Sequence, residues 1–163
     1  MKRRHLLLAG AAAPLGPGVA AQPAAVVDWP TITLVDGSSI SPESWRTQPA
    51  VVVFWATWCA FCKRHNAHVE ALYRASRGAA PLRVLGLALD RDVQAVQQSM
   101  ARNGYSFPVA LDDGSLRARL TSRRMIPMTC LLDRQGHLLQ AIPGEMAADD
   151  VLGLARQLQR HTG

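Results

Sequence analysis

The chain has 163 residues, 48% of them apolar and 18% charged, which predicts a single globular domain with an ordinary core. Its formal net charge is +6, but Lys2, Arg3 and Arg4 open a segment that reads as removable; without them 15 basic residues face 12 acidic ones. A balance that weak and dispersed excludes the basic footprint of a nucleic-acid binder.

In chain order, residues 1–21 are predicted to be an export signal. Lys2-Arg3-Arg4 is a basic start, residues 6–13 are a short apolar run, and Val19-Ala20-Ala21 is a small-residue cleavage site before Gln22. Arg3-Arg4-His5-Leu6-Leu7 also suits a twin-arginine signal, so the general and twin-arginine routes both stay open. The apolar run is too short to span a bilayer comfortably, and no membrane span is expected after signal removal. No cysteine precedes Cys59, which excludes a lipid-modified N-terminal cysteine. Residues 22–27 are predicted as a linker and 28–163 as the folded domain.

Residues 31–35 alternate as a strand should, and Asp36-Gly37 is a turn signal, so a small hairpin is expected to open the fold. Residues 50–55 form an unbroken apolar run, the mark of a buried strand. A helix is predicted from Cys59 toward Arg77, ended by Gly78 and Pro81. A second buried strand follows at 82–89, then a helix at 93–103 stopped by Gly104. Residues 107–111 read as a short extended piece and 115–120 as a short helix. Residues 129–132 and 137–142 are predicted to pair around Asp133-Arg134-Gln135-Gly136. An amphipathic helix at 147–160 closes the chain, with Val151, Leu154, Ala155 and Leu158 as its stripe. This order predicts an α/β fold, a mixed central sheet flanked by helices.

Cys59-Ala60-Phe61-Cys62 carries the chemistry. It lies where the strand at 50–55 turns into a helix, and a helix N-terminus offers unpaired amides and partial positive charge. A thiolate at Cys59 is favoured there. Cys62 lies one turn on, within reach of a mixed disulfide formed at Cys59, an arrangement suited to thiol–disulfide exchange. A structural bridge closing so short a loop would remove little entropy from the unfolded chain.

The run Val53-Phe54-Trp55-Ala56-Thr57-Trp58-Cys59-Ala60-Phe61-Cys62-Lys63, followed much later by Ile126-Pro127-Met128-Thr129 and Leu131-Leu132-Asp133-Arg134-Gln135-Gly136, resembles the thioredoxin superfamily. Within it, the chain is similar to the exported TlpA/ResA-type thiol–disulfide oxidoreductases. The resemblance runs from about Asp28 to the C-terminus. It implies a thioredoxin fold with an N-terminal hairpin and a helical insertion, residues 90–124, before a cis-proline loop. It implies that Cys59 attacks, Cys62 resolves, and Pro127 is the cis-proline beside the disulfide. The backbone of Ile126 would pair with an extended substrate segment, and Trp58 would belong to an apolar rim around Cys59. No cofactor and no metal are implied. The implied partners are exported proteins with disulfides and a membrane electron donor of the DsbD type, in the periplasm. Two departures stand out: Val53 replaces a buried aspartate of the thioredoxins proper, and Ala67 replaces a helix-kinking proline.

The residues leave two other readings of the same fold open. A DsbA-like oxidant needs a stabilised reduced form, and Ala60-Phe61 offers no charge for that, so the reducing direction is favoured. A Cu(I)-binding chaperone would use Cys59 and Cys62 as soft ligands, with Met125 and Met128 beside Pro127; such methionines are read here as packing groups. Cys59, Cys62, His65 and His68 recur every third residue, but on a helix Cys59 and His65 point about 120° apart and stand about 9 Å apart along the axis. That spread does not close a metal site, and both histidines are read as polar residues on a partly exposed helix. Cys130 reads as a small core residue. Arg123-Arg124 reads as a solvated pair, with a docking patch for an acidic partner as the sharper alternative.

Overall fold

Every residue of Ala50-Val51-Val52-Val53-Phe54-Trp55 is apolar, so this strand has something to bury on both faces, and it lies at the centre of the sheet. A computed structural model describes residues 26–45, 47–78 and 81–160. The expected export signal, 1–21, lies outside the described residues. In chain order the elements are β1 (Ile32–Thr33), β2 (Ser39–Ile40), α1 (Pro42–Trp45), β3 (Ala50–Trp55), α2 (Ala60–Ala75), β4 (Arg83–Ala88), α3 (Val93–Asn103), β5 (Val109–Leu111), α4 (Ser115–Leu120), β6 (Met128–Leu132), β7 (Leu138–Pro143) and α5 (Ala148–Arg160).

Five strands form one mixed sheet in the order β5-β4-β3-β6-β7. β3, β4 and β5 run parallel; β6 is antiparallel to β3, and β7 to β6. Alternation splits the core in two. Val51, Val53, Trp55, Val84, Ala88 and Leu131 point to the face that also holds Cys62, Val69, Leu72, Val151, Leu154 and Leu158 of α2 and α5. Ala50, Val52, Phe54, Leu85, Leu87, Met128, Cys130 and Leu132 point to the other, against Trp29, Trp45, Leu116 and Leu120. The register sets Val53 opposite Gly86 on β4 and Thr129 on β6. Gly86 is required by space. A Cβ there would stand 2.8 Å from the Phe107 ring and 3.0 Å from both Trp55 Nε1 and Val109 Cγ2, closer than packed atoms tolerate.

Three expectations need correction. The first strand is only Ile32–Thr33; Leu34 makes an isolated bridge to Ala110 and Val35 N–H bonds Val109 O, so sheet pairing with β5 takes over from the hairpin. The extended piece at 107–111 is strand only from Val109, because Phe107 is spent in the core under Gly86. The predicted linker at 22–27 ends sooner: Val26 bridges His137, and Val27 is buried with its N–H on Gly136 O at 2.8 Å. The four-residue helix α1 has no counterpart among the predicted elements; it delivers Trp45 to a stack on Trp29, rings 4.4 Å apart and 5° from parallel. No described helix is long and apolar enough to cross a membrane.

Candidate active site

β3 ends at Trp55 and α2 begins at Ala60, so Ala56-Thr57-Trp58-Cys59 must turn the chain sharply. Asp90, just past β4, braces the turn: it accepts from Thr57 N–H at 3.0 Å and from Thr57 Oγ1 at 2.5 Å. Cys59 N–H bonds Ala56 O at 3.2 Å, and Leu89 N–H bonds Trp55 O at 2.8 Å. Cys59 is then the N-cap of α2, in extended conformation, and its Sγ accepts from Cys62 N–H at 3.1 Å. A sulfur in that position meets the free amides of the helix start.

Cys59 and Cys62 are joined as a disulfide with Cα atoms 5.2 Å apart. Cys59 is half-buried, whereas Cys62 is fully buried. Around them the surface is unusually apolar. Trp58 is 71% exposed, Phe61 60% and Met125 53%, and a soluble fold rarely leaves such side chains in water without use for them. The Arg64 guanidinium lies 4.9 Å over the Phe61 ring and reaches Glu145 through two bonds of 2.8 and 2.6 Å. That hydrogen-bonded guanidinium holds the Glu145 carboxyl below its usual range.

The Ile126–Pro127 peptide bond is cis. Pro127 is buried, and its carbonyl accepts Gly144 N–H at 2.8 Å. Ile126 borders the same core cluster as Cys59 and Cys62. Its backbone N–H and C=O make no hydrogen bond among the described residues.

His65 ties these pieces together, contrary to its reading as a polar residue on a partly exposed helix: it is fully buried. The inward arc of α2 is wide enough to bury Cys62, His65 and Asn66 together. His65 Nδ1 accepts from Met146 N–H at 3.3 Å, and Nε2 stands 3.0 Å from Thr129 Oγ1. The first contact fixes the tautomer, leaving the proton on Nε2 to be donated to Thr129. Burial pushes the ring's pKa down to about 4, so it is neutral at pH 7. One side chain therefore links the active-site helix, the strand after Pro127 and the turn before α5. On the other inward column of α2, Glu70 accepts from Ser106 N–H and Oγ at 2.6 Å each, from Phe107 N–H at 3.3 Å and from Arg74 at 2.6 Å. Burial would raise its pKa, but those hydrogen bonds, led by Ser106, prevail and hold it low.

The sequence pattern of the Redoxin family matches residues 24–158. The chain belongs to the Redoxin family. It is 24% identical over 127 residues to the thiol-disulfide oxidoreductase ResA of Bacillus anthracis, covering 78% of this chain and 73% of that protein. Its fold is similar to a thiol:disulfide interchange protein of the thioredoxin family from Chlorobium tepidum, with a TM-score of 0.77 at 19% identity over 85% of this chain and 99% of that one. A secreted disulfide oxidoreductase of Mycobacterium tuberculosis matches with a TM-score of 0.68 at 24% identity, over 78% of this chain and 95% of that one. This Redoxin-family chain is thus a ResA-like disulfide oxidoreductase of the thioredoxin superfamily, with its disulfide at the start of α2.

The same geometry separates two kinds of cysteine in this chain. Cys130 lies on β6 and faces the core on the opposite side of the sheet from Cys62. Burial pushes its thiol up to about 12, so it stays protonated and inert. Met128 faces that same far side, away from Cys62, and Met125 is exposed.

Proposed function

We propose that the chain is an exported disulfide reductase, with residues 1–21 as its signal and the periplasm as its site of action. The observation that carries the reading is the disulfide itself: a half-exposed Cys59 capping α2, a buried Cys62 behind it, and an uncharged Ala60-Phe61 between. In the reduced form, the Cys59 thiolate attacks one sulfur of a substrate disulfide. A mixed disulfide forms and one substrate thiolate leaves. The Cys62 thiolate then attacks Cys59 Sγ, the second substrate thiolate departs, and the two electrons of the dithiol have passed to the substrate. The resulting Cys59–Cys62 disulfide is reduced again by the dithiol of a membrane donor of the DsbD type.

The substrate lies across Trp58, Ile126 and Pro127. The free backbone groups of Ile126 pair with an extended segment, as in strand addition, and Trp58 covers the reacting sulfurs. Substrates are exported proteins that carry disulfides. The experiment is trapping. Cys62→Ser should accumulate mixed disulfides with periplasmic proteins, and Cys59→Ser should not. Equal trapping by both would defeat the assignment of roles. Equilibration of the native chain with glutathione should give a potential nearer about −270 mV than about −120 mV; a value near the latter would reverse the direction.

A further inference from the structure

We infer that a basic hollow beside the cis-proline loop selects disulfide substrates with acidic residues a few positions from the reacting cysteine; this rests on the reductase reading above. The hollow, about 390 Å³, is lined by Arg117, Arg123 and Arg124, with Gly114, Ala118 and Thr121. It adjoins the substrate groove through the chain itself, since Arg124 precedes Met125-Ile126-Pro127 directly.

Three features make the hollow a site for an anion and distinguish it from an ordinary solvated arginine pair. Two of its three charges are uncompensated: Arg117 Nε is 3.2 Å from Asp112 Oδ2, and Arg119, on the same helix, is 3.2 Å from Asp28, but Arg123 and Arg124 meet no carboxylate among the described residues. The position of one charge is also fixed, since Arg117 is held with its guanidinium 4.8 Å over the Phe54 ring. Finally, the lining is held in place: Arg123 N–H bonds Thr121 Oγ1 at 3.1 Å, and Arg124 O accepts from Arg117 Nη1 at 3.5 Å. An extended segment paired on Ile126 advances about 3.3 Å per residue. An acidic side chain about two to four residues from the substrate cysteine therefore reaches the hollow.

The test uses reduced full-length protein and two peptide disulfides identical except for the residues about two to four positions on each side of the cysteine, all Glu in one and all Lys in the other. Each rate is divided by the same variant's rate on hydroxyethyl disulfide, which is uncharged. At about 20 mM salt the native protein should prefer the Glu peptide in kcat/KM by roughly tenfold, and the preference should fade by about 0.5 M salt. Arg123→Gln/Arg124→Gln should flatten the ratio, and Arg123→Glu/Arg124→Glu should invert it. Equal rates on the two peptides, or a ratio that charge reversal leaves standing, would overturn the acidic-substrate inference while leaving the reductase intact. No reduction of any disulfide, the uncharged one included, would overturn the reductase reading and this inference with it.

Discussion

The two faces of the central sheet are cut from the same strands, residue by residue, yet they hold different chemistry. Toward α2 and α5 the core admits His65, Asn66, Glu70 and Thr129, all buried, and uses three of them to fix the elements around Cys59 and Cys62. Toward α1 and α4 the core is the Trp29–Trp45 stack, Phe54, Met128 and their apolar neighbours. Each face has one fully buried cysteine, Cys62 on the first and Cys130 on the second. Cys62 sits at a helix start beside a partner sulfur; Cys130 sits in mid-strand with its thiol pushed to about 12. Burial alone does not decide what a cysteine does; the neighbouring dipoles and sulfur do.

The contrast can be attacked from either side. On the packing face, Trp45→Ala should cost about 3–5 kcal/mol in urea unfolding, while the turnover of the molecules still folded stays near native. A loss of turnover per folded molecule would mean that the faces are coupled. On the working face, the His65 ring has a pKa of about 4 in the fold against 6.5 ordinarily, so the unfolded chain takes up the proton first. Stability should be complete above about pH 6.5, fall as the pH drops, and be short by about 3 kcal/mol below about pH 4. His65→Gln should show lower stability at neutral pH and lose this part of the pH dependence; an unchanged pH profile would remove His65 from its linking role. The smallest effect belongs to Cys130→Ala, which should cost about 1 kcal/mol and leave the redox potential where it was. Rapid alkylation of Cys130 in the native protein would break the comparison outright.

Local signals made much of the fold legible. β3 at Ala50–Trp55, α3 at Val93–Asn103 with left-handed Gly104 as its cap, and α4 at Ser115–Leu120 lie where periodicity and stop residues put them. The Cys59-x-x-Cys62 pair was readable because strand, turn and helix follow within a dozen residues. The supports of the site were not. Thr57 and Asp90 are 33 positions apart, His65 and Thr129 are 64, and Arg64 and Glu145 are 81. No pattern within one helix or strand announces a partner at that distance. His65 was misread for a related reason: the polar side chain of a helix looks solvated until the strand that supplies its hydrogen bond is in place.

The turn between β7 and α5 has the outward look of a spare hinge, with Glu145 and Ala147 in solvent. It is instead gripped three times in succession: Gly144 by Pro127 O, Glu145 by Arg64, Met146 by His65 Nδ1. Exposed turns are the usual seams for splicing in a tag or opening new termini, because their backbone holds nothing else in place. Here the seam is sewn shut. A residue inserted between Gly144 and Met146 would shift the register of all three grips at once, and the damage would surface at Cys59, in another part of the chain.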